Sequence, residues 1–116
     1  MTLTRINPGR RLSAAVRHNN TLYLAGQVAS DKHGSIEKQT GEVLAAIDAV
    51  LADAGSSKSK LISCQVVLNN IADFAAMNGV YEAWLDPDNK PARACIEARL
   101  ADPALKVEII AIAAMD

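Results

Sequence analysis

A chain of 116 residues with a formal net charge of −1 is long enough for one compact core and too short for two, so residues 1–116 are read as a single domain. The near-neutral balance gives no basic footprint of the kind that phosphate backbones require, and no nucleic acid partner is expected. Half the residues are hydrophobic but only 3% are aromatic, leaving Ala, Val, Leu and Ile to fill the core, while no apolar window reaches the length of a signal peptide or membrane span. A cytoplasmic location with no membrane partner is therefore expected.

Along the chain, short extended segments come first, at Leu3 to Ile6, Ala14 to His18 and Leu22 to Val28. His18-Asn19-Asn20-Thr21 joins the last two as a hairpin, because Asn tolerates the left-handed backbone of a tight turn. From Ser35 the period changes to three- and four-residue steps through Ile36, Val43, Leu44, Ile47, Val50 and Leu51. The spacing predicts a long amphipathic helix, with Ser35 as its N-cap and Gly55 just past its end. Leu61 to Leu68 is rich in β-branched residues and reads as a strand. Asn70 is placed to cap a second helix whose stripe of Phe74, Met77, Tyr81 and Trp84 reads as core packing, and which ends before Pro87.

Two strands close the chain. Ala92 to Ala98 alternates Arg93, Cys95 and Glu97 on one face with Ala94, Ile96 and Ala98 on the other. Lys106 to Met115 is apolar on both faces, the pattern of a central, doubly covered strand. The order β-β-β-α-β-α-β-β gives an α+β sandwich of one six-stranded mixed sheet with two helices on one face. The second face then has no cover within the chain, and another copy is the economical candidate.

Candidate chemistry is sparse. Cys64 and Cys95 lack CxxC spacing and neighbouring histidines and read as buried thiols, and His18 and His33 read as solvated. Gly26 sits in a strand, where it marks either a bulge or a close backbone approach to a ligand. Glu108 is the one acid between Val107 and Met115. It is a candidate for proton transfer, or a strand-end carboxylate meeting solvent or a structural Arg. Arg93, among small residues after Pro91-Ala92, offers a fork of donors that matches a carboxylate, or is an ordinary surface Arg.

Pro91-Ala92-Arg93-Ala94-Cys95-Ile96, with the later Val107-Glu108-Ile109, resembles the C-terminal signature of the reactive-intermediate deaminase (Rid, or YjgF) family. Leu24-Ala25-Gly26-Gln27-Val28 and Tyr81-Glu82-Ala83-Trp84 extend the likeness over nearly the whole chain. Within the family, His18-Asn19-Asn20-Thr21-Leu22-Tyr23 and Phe74-Ala75-Ala76-Met77-Asn78 look similar to the YoaB-type proteins. The resemblance implies a chorismate-mutase-like fold, a homotrimer and clefts between subunits. It also implies hydrolysis of enamines or imines such as 2-aminoacrylate to a 2-keto acid and ammonia. By position, Arg93 would hold the substrate carboxylate, the backbone of Cys95 would contact the substrate, Gly26 would line the cleft and Glu108 would position or activate water. No metal and no cofactor are needed for an already electrophilic imine. The archetype's Gly-Pro-Tyr segment is matched here by Ser13-Ala14-Ala15-Val16, which supplies no hydroxyl from Ala15. The alternative is a trimer that binds small carboxylates or 2-keto acids without turning them over.

Overall fold

The computed structural model describes residues 2–115 and is built around its last strand. In chain order the strands are β1 (Leu3–Pro8), β2 (Ser13–His18), β3 (Thr21–Leu24), β4 (Gln27–Val28), β5 (Leu61–Leu68), β6 (Ala92–Glu97) and β7 (Val107–Ala114). Helix α1 (Ile36–Ala54) lies between β4 and β5, and α2 (Phe74–Trp84) between β5 and β6. One sheet runs in the order β1-β2-β3-β7-β5-β6, with the two-residue β4 also paired to β7. Every pairing is antiparallel except β5 with β6, which α2 connects. This is the expected α+β arrangement of a mixed sheet and two helices, with β4 as the addition.

The local signals that set α1 are both in place. Ser35 Oγ accepts from the Lys38 amide at 3.1 Å. At the other end Gly55 takes φ 84°, and its amide and that of Ser56 return to Ala52 and Leu51 at 3.1 and 2.8 Å. That left-handed residue suits glycine, which has no Cβ to clash. Asn70 behaves differently from the expectation: its side chain accepts from Ala72 N and starts a tight 3-10 turn, Ile71–Asp73, which leads into α2. No described helix is long and apolar enough to cross a membrane.

β7 carries a different environment on each face. Val107, Ile109, Ala111 and Ala113 are buried under the helices with Leu22, Leu24, Val43, Ile47 and Val66. Each such large aliphatic side chain contributes about 2 kcal/mol by leaving water. Glu108, Ile110, Ile112 and Ala114 on the other face are only half-buried in the single chain. Tyr23, the cross-strand partner of Ile112, is 46% exposed there, and Ile96 of β6 is 44% exposed. An apolar sheet face is thus left open, as the accounting of residues required.

The strand expected at Leu22 to Val28 is broken. Tyr23 pairs with Ile112, but Gln27 pairs with Ile109, so one extra residue is inserted at Ala25–Gly26. This is a β-bulge, one of the two readings of a lone strand glycine.

The start of β7 is held by a buried amide. Gln39 on α1 is fully buried, and its Nε2 donates to the carbonyls of Lys32, Gly34 and Ala104 at 3.1 to 3.2 Å, while its Oε1 accepts from Lys106 N at 2.9 Å. The same two loops are bridged outside by Lys32 and Asp102 at 2.8 Å. Exposed ion pairs of that kind contribute little, whereas a buried amide removed leaves several backbone groups unsatisfied. Gln39→Leu is therefore expected to lower unfolding stability by about 3 kcal/mol, and Lys32→Ala by under about 1 kcal/mol, as measured by urea denaturation.

Candidate functional site

Arg93 lies on β6, the edge of the sheet, with Cys64 as its cross-strand partner, and strand alternation turns its side chain to the helix layer. There its guanidinium carbon sits 4.9 Å from the centroid of the Tyr81 ring and 5.6 Å from that of Phe74. Nη1 donates to Asn78 Oδ1 at 2.6 Å. Phe74, Asn78 and Tyr81 stand at i, i+4 and i+7 of α2, so one helical face presents two rings and an amide to the cation. No ion pair to Arg93 occurs among the described residues. Nη1 is therefore occupied, and the guanidinium keeps other donors for an anion.

The groups beneath the cation are neutral at ordinary pH. Burial pushes the Cys64 thiol up, and it pushes the Tyr81 hydroxyl up to about 12, with Cys64 adding to the rise and Arg93 opposing it. Neither offsets the positive charge. Cys95, two residues on and half-buried, is also raised by burial, with Arg93 again opposing. Because β6 has a neighbour on one side only, backbone groups along its outer edge are free of strand partners.

Glu108 is on the opposite face. It pairs across the ladder with Val28 on one side and Val67 on the other, and its carboxylate folds back over the bulge. A methyl group added at Gly26 would overlap Glu108 Oε2 and stand 2.9 Å from Cδ. The space that a side chain at Gly26 would fill is thus occupied by the carboxylate.

The four site residues expected from sequence therefore separate into two pairs within one chain. Arg93 and Cys95 sit together on β6 under α2. Gly26 and Glu108 sit together at the bulge, with β5 between β6 and β7 and the sheet between the two side chains.

Several side-chain expectations change. Phe74 is 39% exposed, and Tyr81, although buried, packs against Arg93, so the α2 stripe walls the site as well as filling the core. Asn78 holds Arg93 in place, a role that helical spacing alone does not reveal. The signal for it was a polar amide inside an apolar helical stripe. His18 is half-buried rather than solvated, and its Nε2 is buried with no hydrogen-bond partner. His33 is exposed, as expected. Ala15 is 1% exposed and belongs to the core, so a ring at that position would point beneath the helices and not into an open cleft.

The Endoribonuclease L-PSP family profile matches residues 2–115. A RutC family protein of Haemophilus influenzae is 45% identical over 97% of this chain and 98% of its own length. RutC family protein YoaB of Escherichia coli is 42% identical over 99% of this chain and 100% of its own. In structure, a member of the YjgF protein family from Neisseria meningitidis superposes with a TM-score of 0.96 at 39% identity, covering 100% of this chain and 97% of that one.

The raised Tyr81 has a thermodynamic consequence. The unfolded chain loses this proton near pH 10, whereas the folded chain holds it to about 12, so the stability it contributes is complete below about pH 10 and is lost as pH rises toward 12. Urea midpoints are expected to fall between about pH 9 and pH 11.5, and Tyr81→Phe to flatten part of that fall, with Cys64 responsible for the earlier part.

Proposed function

The chain belongs to the YjgF family, the group matched by the Endoribonuclease L-PSP profile, and from that premise we propose that it is a hydrolytic deaminase of reactive enamines and imines, working in clefts between the subunits of a homotrimer. The observation that carries this reading is the Arg93 guanidinium, held against two rings and an amide at an exposed strand and still carrying free donors. A cation fixed in this way is prepaid for binding a planar carboxylate, since less side-chain freedom is lost when the ligand arrives. The separation of Arg93 from Glu108 within one chain favours a site built from two copies. The open apolar face of the sheet favours association of the copies, because closed contact would bury Tyr23, Ile110, Ile112 and Ile96.

In this reading the substrate is a 2-imino acid, or an enamine that first tautomerises to one. Its carboxylate lies on Arg93 and the backbone of Cys95 contacts its reacting end. Glu108, brought by the neighbouring copy and seated over Gly26, takes a proton from water as the water oxygen bonds to the imine carbon. Glu108 passes that proton to the imine nitrogen, giving the carbinolamine, and then relays the hydroxyl proton to the same nitrogen as the C–N bond breaks, so that ammonia leaves and the carbonyl of the 2-keto acid forms. A cytoplasmic location belongs to the same reading.

The test generates 2-aminoacrylate in situ and follows pyruvate release. Acceleration over buffer is expected. Arg93→Lys keeps the charge but loses the fork, so the affinity for a 2-keto acid is expected to drop about tenfold or more. Glu108→Gln keeps the size and removes the proton acceptor, so turnover is expected to fall on the order of a hundredfold with binding largely kept. Arg93-dependent binding without any turnover would instead identify a carboxylate-binding protein. A monomer by light scattering at micromolar concentration would overturn the shared cleft.

A further inference from the structure

We propose that the open cavity on the α2 side of Arg93 is a side-chain subsite, and that it directs the protein toward 2-imino and 2-keto acids with branched aliphatic or aromatic tails. The inference rests on the reading that Arg93 anchors the substrate carboxylate. The cavity measures ≈ 480 Å³ and adjoins Arg93 directly. That is within the range of sites that enclose ligands much larger than a three-carbon acid. A substrate whose tail is one methyl group would leave nearly all of it empty.

The composition of the walls decides the class of tail. The Tyr81 ring, Leu85, Pro87 and Pro91 supply the apolar surface, and no charged group stands among those four. Glu82 and Lys90 are both exposed and carry opposite charges, so together they offer a neutral rim and no net attraction for a second carboxylate or an ammonium group. An uncharged tail of several carbons gains by leaving water against these walls, whereas an ionised tail would lose hydration without a committed partner.

The walls are also built in advance. Leu85 closes the end of α2, its amide N–H donating to Tyr81 O at 3.0 Å. The Asp86 carboxylate accepts from Asp88 N at 3.0 Å and from Asn89 Nδ2 at 3.1 Å, and these bonds hold its pKa below the usual carboxylate value. Pro87 fixes φ inside that turn and Pro91 fixes it just beyond. Little loop ordering is left for the ligand to drive.

The geometry also connects the anchor to the subsite. Tyr81 is shared: Arg93 lies over its ring, and the same residue walls the cavity. A 2-keto acid with its carboxylate on Arg93 has the cavity directly beside it to receive its tail.

The experiment is a crystal structure of the assembled protein with 4-methyl-2-oxopentanoate, alongside affinities for that acid and for pyruvate in the native protein and in Glu82→Trp. Glu82 is an exposed helix position from which an indole can fill the cavity. The expected result is the carboxylate on Arg93, the isobutyl group against Leu85, Pro87 and Pro91, and tighter binding than pyruvate. In Glu82→Trp that preference is expected to shrink about tenfold or more. Lys90→Trp, entering from the other part of the rim, gives the same readout should Glu82→Trp fail to fold. A carboxylate on Arg93 with its tail directed elsewhere, or a preference unchanged in a folded tryptophan variant, overturns the subsite and leaves the anchor standing. Neither acid on Arg93 overturns the anchor and the subsite together.

Discussion

An eight-residue strand that is apolar on both faces needs hydrogen-bonding neighbours on both edges and cover above and below, and β7 imposes all four demands on this small chain. β3 and β4 pair with one edge and β5 with the other. α1 and α2 supply the cover on one face, and Gln39 fixes where the strand begins. The fourth demand is left unmet within the chain. That residual exposure, more than any single polar contact, links the fold to the reading of a site shared between copies.

The same strand explains the two pairs of site residues. Glu108 is the one position at which β7 carries a charge, on the face the helices do not cover, and the bulge at Ala25–Gly26 is what clears room for it. Continuing the Tyr23–Ile112 register without the extra residue would set Gln27, not Val28, opposite Glu108. The bulge and the glycine therefore belong to one device: an extra residue re-aims the chain, and the missing Cβ admits the carboxylate. Arg93 is placed by a different device, the crossover from β5 through α2 to β6, which sets the helix over the strand that follows it.

How far the sequence could be read depended on whether the relevant signal was local. Ser35 and Gly55 delimit α1 because caps act within one turn, and Leu61 to Leu68 emerged with its own limits because hydrophobic and β-branched residues changed abruptly at both ends. Alternation along β6 correctly put Arg93, Cys95 and Glu97 on one face. Alternation says nothing, however, about which face of β6 matches which face of β7, so the distance between Arg93 and Glu108 was out of reach. The α2 stripe failed for a related reason. A ring that packs into a core and a ring that lies under a guanidinium occur at the same helical spacing, and only Asn78, polar among apolar neighbours, hinted at the difference. The family resemblance was carried by short motifs, and the matches over nearly the full length of the Haemophilus and Escherichia relatives agree with it.

The position of β6 has a consequence for solubility. It is a sheet edge, and edges with open backbone groups are templates on which foreign strands can add. Without its charges this one would read Ala-Ala-Cys-Ile, an edge with no charge to discourage a further strand. Arg93 and Glu97 interrupt it from the helix side, so the residue proposed as the anion anchor also places a charge on that edge. Pressure to keep a charge at position 93 would then persist even in a descendant that had lost its ligand.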